Sequence, residues 1–155
     1  MNIQNQLKDE LLEAYIQVSM KLWNERAVRF MPYNEALICH LLRTRIKLHP
    51  DKPYLTMKQL CDTTGILKSQ MNKTLNSLEE SGLITRERST NDKRVVKIFF
   101  NDNNNDIYEK EKEHISNIVN RIINRLGIER TYEAISIFND IAAEMSIISK
   151  ETNNE

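Results

Sequence analysis

Between Ser69 and Phe100 an apolar period of three to four residues halts at Gly82 and gives way to two short runs rich in β-branched and aromatic residues. Met71, Leu75 and Leu78 recur at helical spacing and leave Ser69, Gln70, Asn72, Lys73 and Asn76 on the outward side. Leu83 to Arg88 and Val95 to Phe100 then flank the polar, basic turn STNDKR, a hairpin pattern. A helix followed by a basic hairpin can insert one element into a major groove and reach the adjacent groove with the other. Double-stranded DNA is therefore the first partner to consider.

The rest of the chain is punctuated just as consistently. Its three prolines and three glycines fall where apolar periods break. Pro32 ends a first helix carrying Leu7, Leu11, Tyr15, Val18 and Leu22, and Pro50 and Pro53 follow a second helix over about 34–47. Tyr54-Leu55 reads as a short strand. Thr56 and Gln59 have capping-box spacing, and Leu55 and Leu60 stand at hydrophobic-staple positions. The short helix so begun ends near Gly65, and another starts at Lys68 or Ser69, a helix–turn–helix spacing. The Asn/Asp-rich segment 101–106 reads as a loop leading into a long helix, with Gly127 separating it from a last one. Glu109, Glu111 and Glu113 look like a solvated acidic helix start.

Zero net charge argues at first against a polyanionic partner, but the distribution reverses that. Residues 43–100 hold twelve basic and six acidic side chains, a surplus of +6, while the flanks hold ten basic and sixteen acidic, −6. With 6% aromatic residues, a stacking platform for single strands is not expected. No apolar run exceeds four residues, so no membrane span is expected, and the polar, acidic N-terminus does not read as a signal peptide. A cytoplasmic location with reduced thiols follows, Cys39 and Cys61 being read as buried structural residues. The apolar positions of 115–148 occupy more than one helix face, which points to a homodimer.

The order of elements resembles that of MarR-type winged-helix regulators. LEESGLITR (Leu78 to Arg86) is similar to the family's helix end, Gly-Leu and strand Arg; Asp92-Lys93-Arg94 matches its D-x-R wing pattern at the expected distance from Gly82. Two departures stand out: Leu67 is a poor N-cap where the family often has Ser, and the second strand exits through Phe99-Phe100-Asn101-Asp102 instead of Leu-Thr and Gly. The resemblance implies a mainly α fold, a single MarR-like domain over 1–155. A winged helix-turn-helix DNA-binding lobe (34–100) would be flanked by N- and C-terminal dimerisation helices (1–31 and 102–150).

It further implies a sequence-specific regulator of transcription, a repressor, binding a pseudo-palindromic operator as a dimer. Ser69, Gln70, Asn72, Lys73 and Asn76 are the candidate DNA contacts of the recognition helix, with Lys93 and Arg94 at the wing tip and Asp92 and Arg86 orienting the wing. Relatives take a small aromatic effector; Trp23, Phe30, Met31, Tyr33 and His40 are candidates to line such a site, plain core around Pro32 being the alternative.

Enzymatic function finds no support in the motifs. The spacing of Cys39, His40, His49 and Cys61 matches no common zinc pattern, and there is no phosphate-cradling glycine loop or nucleophile elbow, so neither metal, cofactor nor catalytic residue is expected. The rival class is a winged-helix module that binds protein and not specific DNA.

Overall fold

The computed structural model describes residues 3–22, 28–90, 92 and 94–152. The elements are α1 (Ile3–Leu22), α2 (Tyr33–Leu48), β1 (Tyr54–Thr56), α3 (Met57–Thr64), α4 (Lys68–Glu80), β2 (Ile84–Arg88), β3 (Val96–Phe100), α5 (Asp106–Leu126) and α6 (Ile128–Thr152). They fall into two compact units, 1–114 and 115–155, the boundary lying within α5.

In the first unit the capping signals act as read, whereas the expectation that Pro32 ends the first helix is corrected: α1 ends at Leu22, and residues 28–32 are not helical. Thr56 Oγ1 accepts from Gln59 N at 3.2 Å while Gln59 Oε1 accepts from Thr56 N at 2.9 Å, so the capping box fixes the start of α3. Leu67 caps α4 without a side-chain hydrogen bond, yet the helix still begins at Lys68. At the other end Gly82 takes φ +76, and Leu83 N donates to Leu78 O (2.9 Å) and Gly82 N to Glu79 O (3.0 Å). That pair is a Schellman cap, which reverses the chain into β2. The antiparallel sheet has the order β1-β3-β2, with Leu55 opposite Ile98 and Arg86 opposite Ile98 on the other edge. Ile38, Leu42, Leu60, Met71, Leu75, Leu78 and Ile98 close the core between helices and sheet. Helix, helix–turn–helix and hairpin thus form a mainly helical winged helix-turn-helix.

One reading is extended and another is corrected. The segment 101–106 is more than a polar spacer: Asn101 Nδ2 donates to Gly82 O (2.8 Å) and Asn104 Nδ2 to Ser81 O (2.9 Å). These amides tie the hairpin's exit to the glycine cap of α4. Glu111, expected in solvent, is completely buried. Its Oε2 accepts from the backbone N–H of Arg29 (3.0 Å), Phe30 (2.5 Å) and Met31 (3.1 Å), and its Oε1 from Arg29 (3.1 Å). The helical period places Glu111 on the face of buried Tyr108, three residues back, and the unpaired N–H groups ahead of α2 supply the donors a buried carboxylate requires. Glu109 remains half-buried, its carboxyl held low by the Lys112 ammonium and, more weakly, Arg43.

Cys39 is fully buried, and desolvation, with the Glu35 charge adding to it, pushes its thiol up to about 12. Cys61 is only partly buried, which corrects its reading as a core thiol. In the second unit Gly127 (φ +80) separates the end of α5 from α6, and no described α6 residue is buried. Ile135, Phe138, Ile141 and Met145 are exposed there, as Leu7, Leu11 and Tyr15 are on α1.

Candidate nucleic-acid interface

Because Met71, Thr74, Leu75 and Leu78 turn inward, α4 presents Ser69, Gln70, Asn72, Lys73 and Asn76 to solvent. The hairpin stands beside this face. Between them lies a cleft of about 550 Å³ whose polar lining is Thr56, Lys58, Lys68, Asn72, Arg86 and Arg94, over an apolar floor that includes Leu75, Val96 and Ile98. Lys58, Lys68 and Arg94 make the concavity positive, and the fourth cation of its lining, Arg86, is ion-paired with Glu79.

The wing is built from its own backbone. Ser89 N donates to Val95 O and Val95 N to Asp92 O, both at 2.9 Å, closing the turn. Asp92 Oδ1 accepts from Arg94 N at 2.9 Å, an Asx-type closure that sets the direction in which Arg94 leaves the tip. Asp92 therefore acts on Arg94 through the main chain and not through the guanidinium. Arg94 is exposed; Lys93 lies outside the described residues.

Arg86 has different partners from those the sequence implied. Its Nε and Nη2 both donate to Glu79 Oε2, at 2.9 and 2.5 Å, and Nη2 also donates to Asn76 Oδ1 at 2.7 Å. This cross-tie fastens β2 to the C-terminal half of α4, fixing the spacing of helix and wing. The Arg86 hydrogen bond, more than its charge, holds the Glu79 carboxyl below the usual carboxylate range. Asn76, read as a DNA contact, is at the same time a partner of the wing strand.

Lys58 and Lys68 were not singled out in the sequence. Their signal was the basic surplus of 43–100 and the placement of each at a helix start, but only the packing of α3 and α4 against the hairpin brings them into the cleft.

The described effector candidates differ in burial and contacts. Met31 belongs to the core. Phe30 meets His114 edge-on with ring centroids 6.0 Å apart, and Tyr33 opens α2 with its phenol pushed up by burial. His40 faces solvent, and Trp23 lies outside the described residues. Neither cavity described, the wing cleft and a groove of about 180 Å³ along α5 at Ile118 and Ile122, is lined by them. Among the described residues no cluster of three His, Cys, Asp or Glu is placed to hold a metal, and no helix is long and apolar enough to cross a membrane.

Comparison with known proteins agrees with this geometry. Residues 45–95, from the end of α2 to the wing tip, match the model of the MarR family. No curated protein sequence matches the chain. Among solved structures the transcriptional regulator BldR from Sulfolobus solfataricus is 20% identical with a TM-score of 0.67, covering 93% of this chain and 99% of its own. Streptococcus pneumoniae FabT, solved in complex with DNA, is 19% identical (TM-score 0.64; 94% and 99% covered). NadR in complex with 4-hydroxyphenylacetate is 21% identical (TM-score 0.62; 90% and 91% covered). The helix–turn–helix and wing thus match the MarR family model over residues 45–95, and the chain shares the winged helix-turn-helix fold of these solved regulators.

Proposed function

We propose that the chain is a sequence-specific, double-stranded DNA-binding regulator of transcription, acting as a homodimeric repressor on a pseudo-palindromic operator. The observation that carries this reading is the cleft between α4 and the wing, where Lys58, Lys68, Arg86 and Arg94 converge beside the outward polar face of the helix. In that arrangement the phosphate backbone meets Lys58 and Lys68, while Ser69, at the second position of α4, adds a hydroxyl and a helix N-terminus. Gln70, Asn72, Lys73 and Asn76 face base edges in the major groove, and Arg94 with Lys93 reaches the flanking minor groove, where a narrow A·T segment concentrates negative potential.

The dimer is supported by the exposed apolar rows on α1 and α6, with Leu7, Leu11, Phe138 and Met145 each more than half exposed. Two copies present two recognition helices to half-sites one helical turn apart, about 10 base pairs. Release by a small aromatic molecule belongs to the same reading, supported by the resemblance and by NadR's complex with 4-hydroxyphenylacetate.

Footprinting on the DNA adjoining the chain's own gene, with a random duplex as control and a salt titration, tests it. Two protected half-sites and a steep fall of affinity with salt are expected. Binding to neither duplex would instead favour a winged-helix module for protein contacts.

A further inference from the structure

Asn76 lies on the outer face of α4, on the side nearest the wing, and its amide is not left to choose its own orientation. Arg86 Nη2 donates to Asn76 Oδ1 at 2.7 Å, and a guanidinium has donors only, so the amide must give this neighbour its oxygen and turn its NH₂ away. Arg86 is itself held, with Nε and Nη2 both on Glu79 Oε2 at 2.9 and 2.5 Å. The Arg86 side chain is half-buried while Glu79 and Asn76 are exposed, so the tie rests on its three hydrogen bonds and not on burial. An unrestrained Asn reads adenine with both ends of its amide, accepting from N6 and donating to N7. With one lone pair of its oxygen committed to Arg86, the amide turns its NH₂ toward other partners and is left with a single, shared acceptor site.

We propose that Arg86, fixed by Glu79, is a specificity-positioning residue that orients the Asn76 amide so that it meets a base chiefly as a hydrogen-bond donor. The base facing Asn76 in each half-site is then one with acceptors on its major-groove edge, guanine foremost with N7 and O6. Cytosine, which offers a donor there, is disfavoured, and adenine loses much of the two-point advantage it holds over other bases at a free Asn. This inference rests on the DNA-binding reading above and adds to it which chemistry of base α4 selects at one position.

The test permutes every base pair of the footprinted operator and measures relative affinity for the full-length chain and four variants. The wild type should show one position per half-site preferring guanine over cytosine by about fivefold or more, a modest part of what one good base contact supplies. Asn76→Asp, which offers only acceptors, should invert that preference toward cytosine or adenine. Arg86→Met should shift the same position toward adenine and leave all other positions alone, whereas Arg86→Lys, which keeps a donor for the Asn76 oxygen, should retain guanine. Glu79→Gln, which loosens the Arg86 anchor, should weaken the preference in part, and it decides the matter should Arg86→Met fail to fold. A general loss of affinity with an unchanged preference profile in both Arg86→Met and Glu79→Gln would show a purely structural tie and overturn the proposal. An Asn76→Asp profile identical to wild type would overturn it as well. Absence of any binding by the wild type would instead remove the DNA-binding reading itself.

Discussion

Replacing Glu111 with Gln should be among the most damaging single-atom changes available in this chain. The carboxylate accepts three consecutive backbone N–H groups, of Arg29, Phe30 and Met31, from a fully buried position on α5. Hydrogen bonds to a charged acceptor contribute about 1.5–3 kcal/mol each against about 0.5–1.5 for neutral ones. Gln can place its oxygen where Oε2 sits and keep three neutral bonds, at a loss of about 1 kcal/mol per bond. Its NH₂ then faces the Arg29 N–H that Oε1 now accepts from at 3.1 Å, a donor against a donor. Because the Arg29 and Phe30 bonds are only part-buried, water recovers some of this, and the net cost is about 2–3 kcal/mol. Urea unfolding followed by circular dichroism, at one fixed protomer concentration, reads it. At an m-value of about 2 kcal/mol/M the midpoint should fall by about 1–1.5 M with the slope unchanged. A midpoint within about 0.2 M of wild type would refute the assignment of Glu111 as the acceptor that fastens the chain ahead of α2.

Gly82→Ala and Gly65→Ala separate strain from collision. Both glycines have positive φ, but a Cβ at Gly82 would lie 2.6 Å from Asn104 Nδ2 whereas one at Gly65 meets nothing, so Gly65→Ala should cost about 1 kcal/mol and Gly82→Ala clearly more, by the same unfolding assay. Arg94→Ala should reduce the slope of log affinity against log salt by about one counterion per protomer; an unchanged slope would remove the exposed wing arginine from the DNA contacts. Cys39, its thiol pushed up to about 12 by burial, should resist alkylation at pH 8 in the folded chain and react only on unfolding, with labelling located by peptide mass spectrometry. The Arg86 bond lowers the Glu79 carboxyl, so the tie contributes fully above the ordinary carboxylate range and is lost as pH falls through the lowered value; acid titration followed by NMR of the Glu79 carboxyl should show that midpoint rise in Arg86→Met.

Most of the fold was legible because its signals are local. The capping box at Thr56 and Gln59, the stop at Gly82 and the apolar period of α4 each depend on residues within a few positions of one another, and the structure shows each where it was read. Even the poorly capped start at Leu67 lay where the period put it, because Met71, Leu75 and Leu78 bury the helix's inner face and core contacts outweigh a missing cap. The partners of polar side chains were a different matter. Periodicity placed Glu111 on a helix start and charge placed it in water, but the backbone donors that bury it come from 80 to 82 residues earlier.

The candidate interface divides along the same line. That α4 turns Ser69, Asn72, Lys73 and Asn76 outward follows from the helical repeat alone, and that the wing is basic follows from its composition. That Lys58 and Lys68 join Arg86 and Arg94 in one cleft, and that Arg86 grips Asn76 and Glu79 and leaves Asp92 to close the turn, required three dimensions. A sequence determines which way a side chain points from its own helix or strand, since that is set by bonds a few residues long. What the side chain meets there is decided by how the elements pack, and here that packing turned an outward asparagine and a surface arginine into one connected unit.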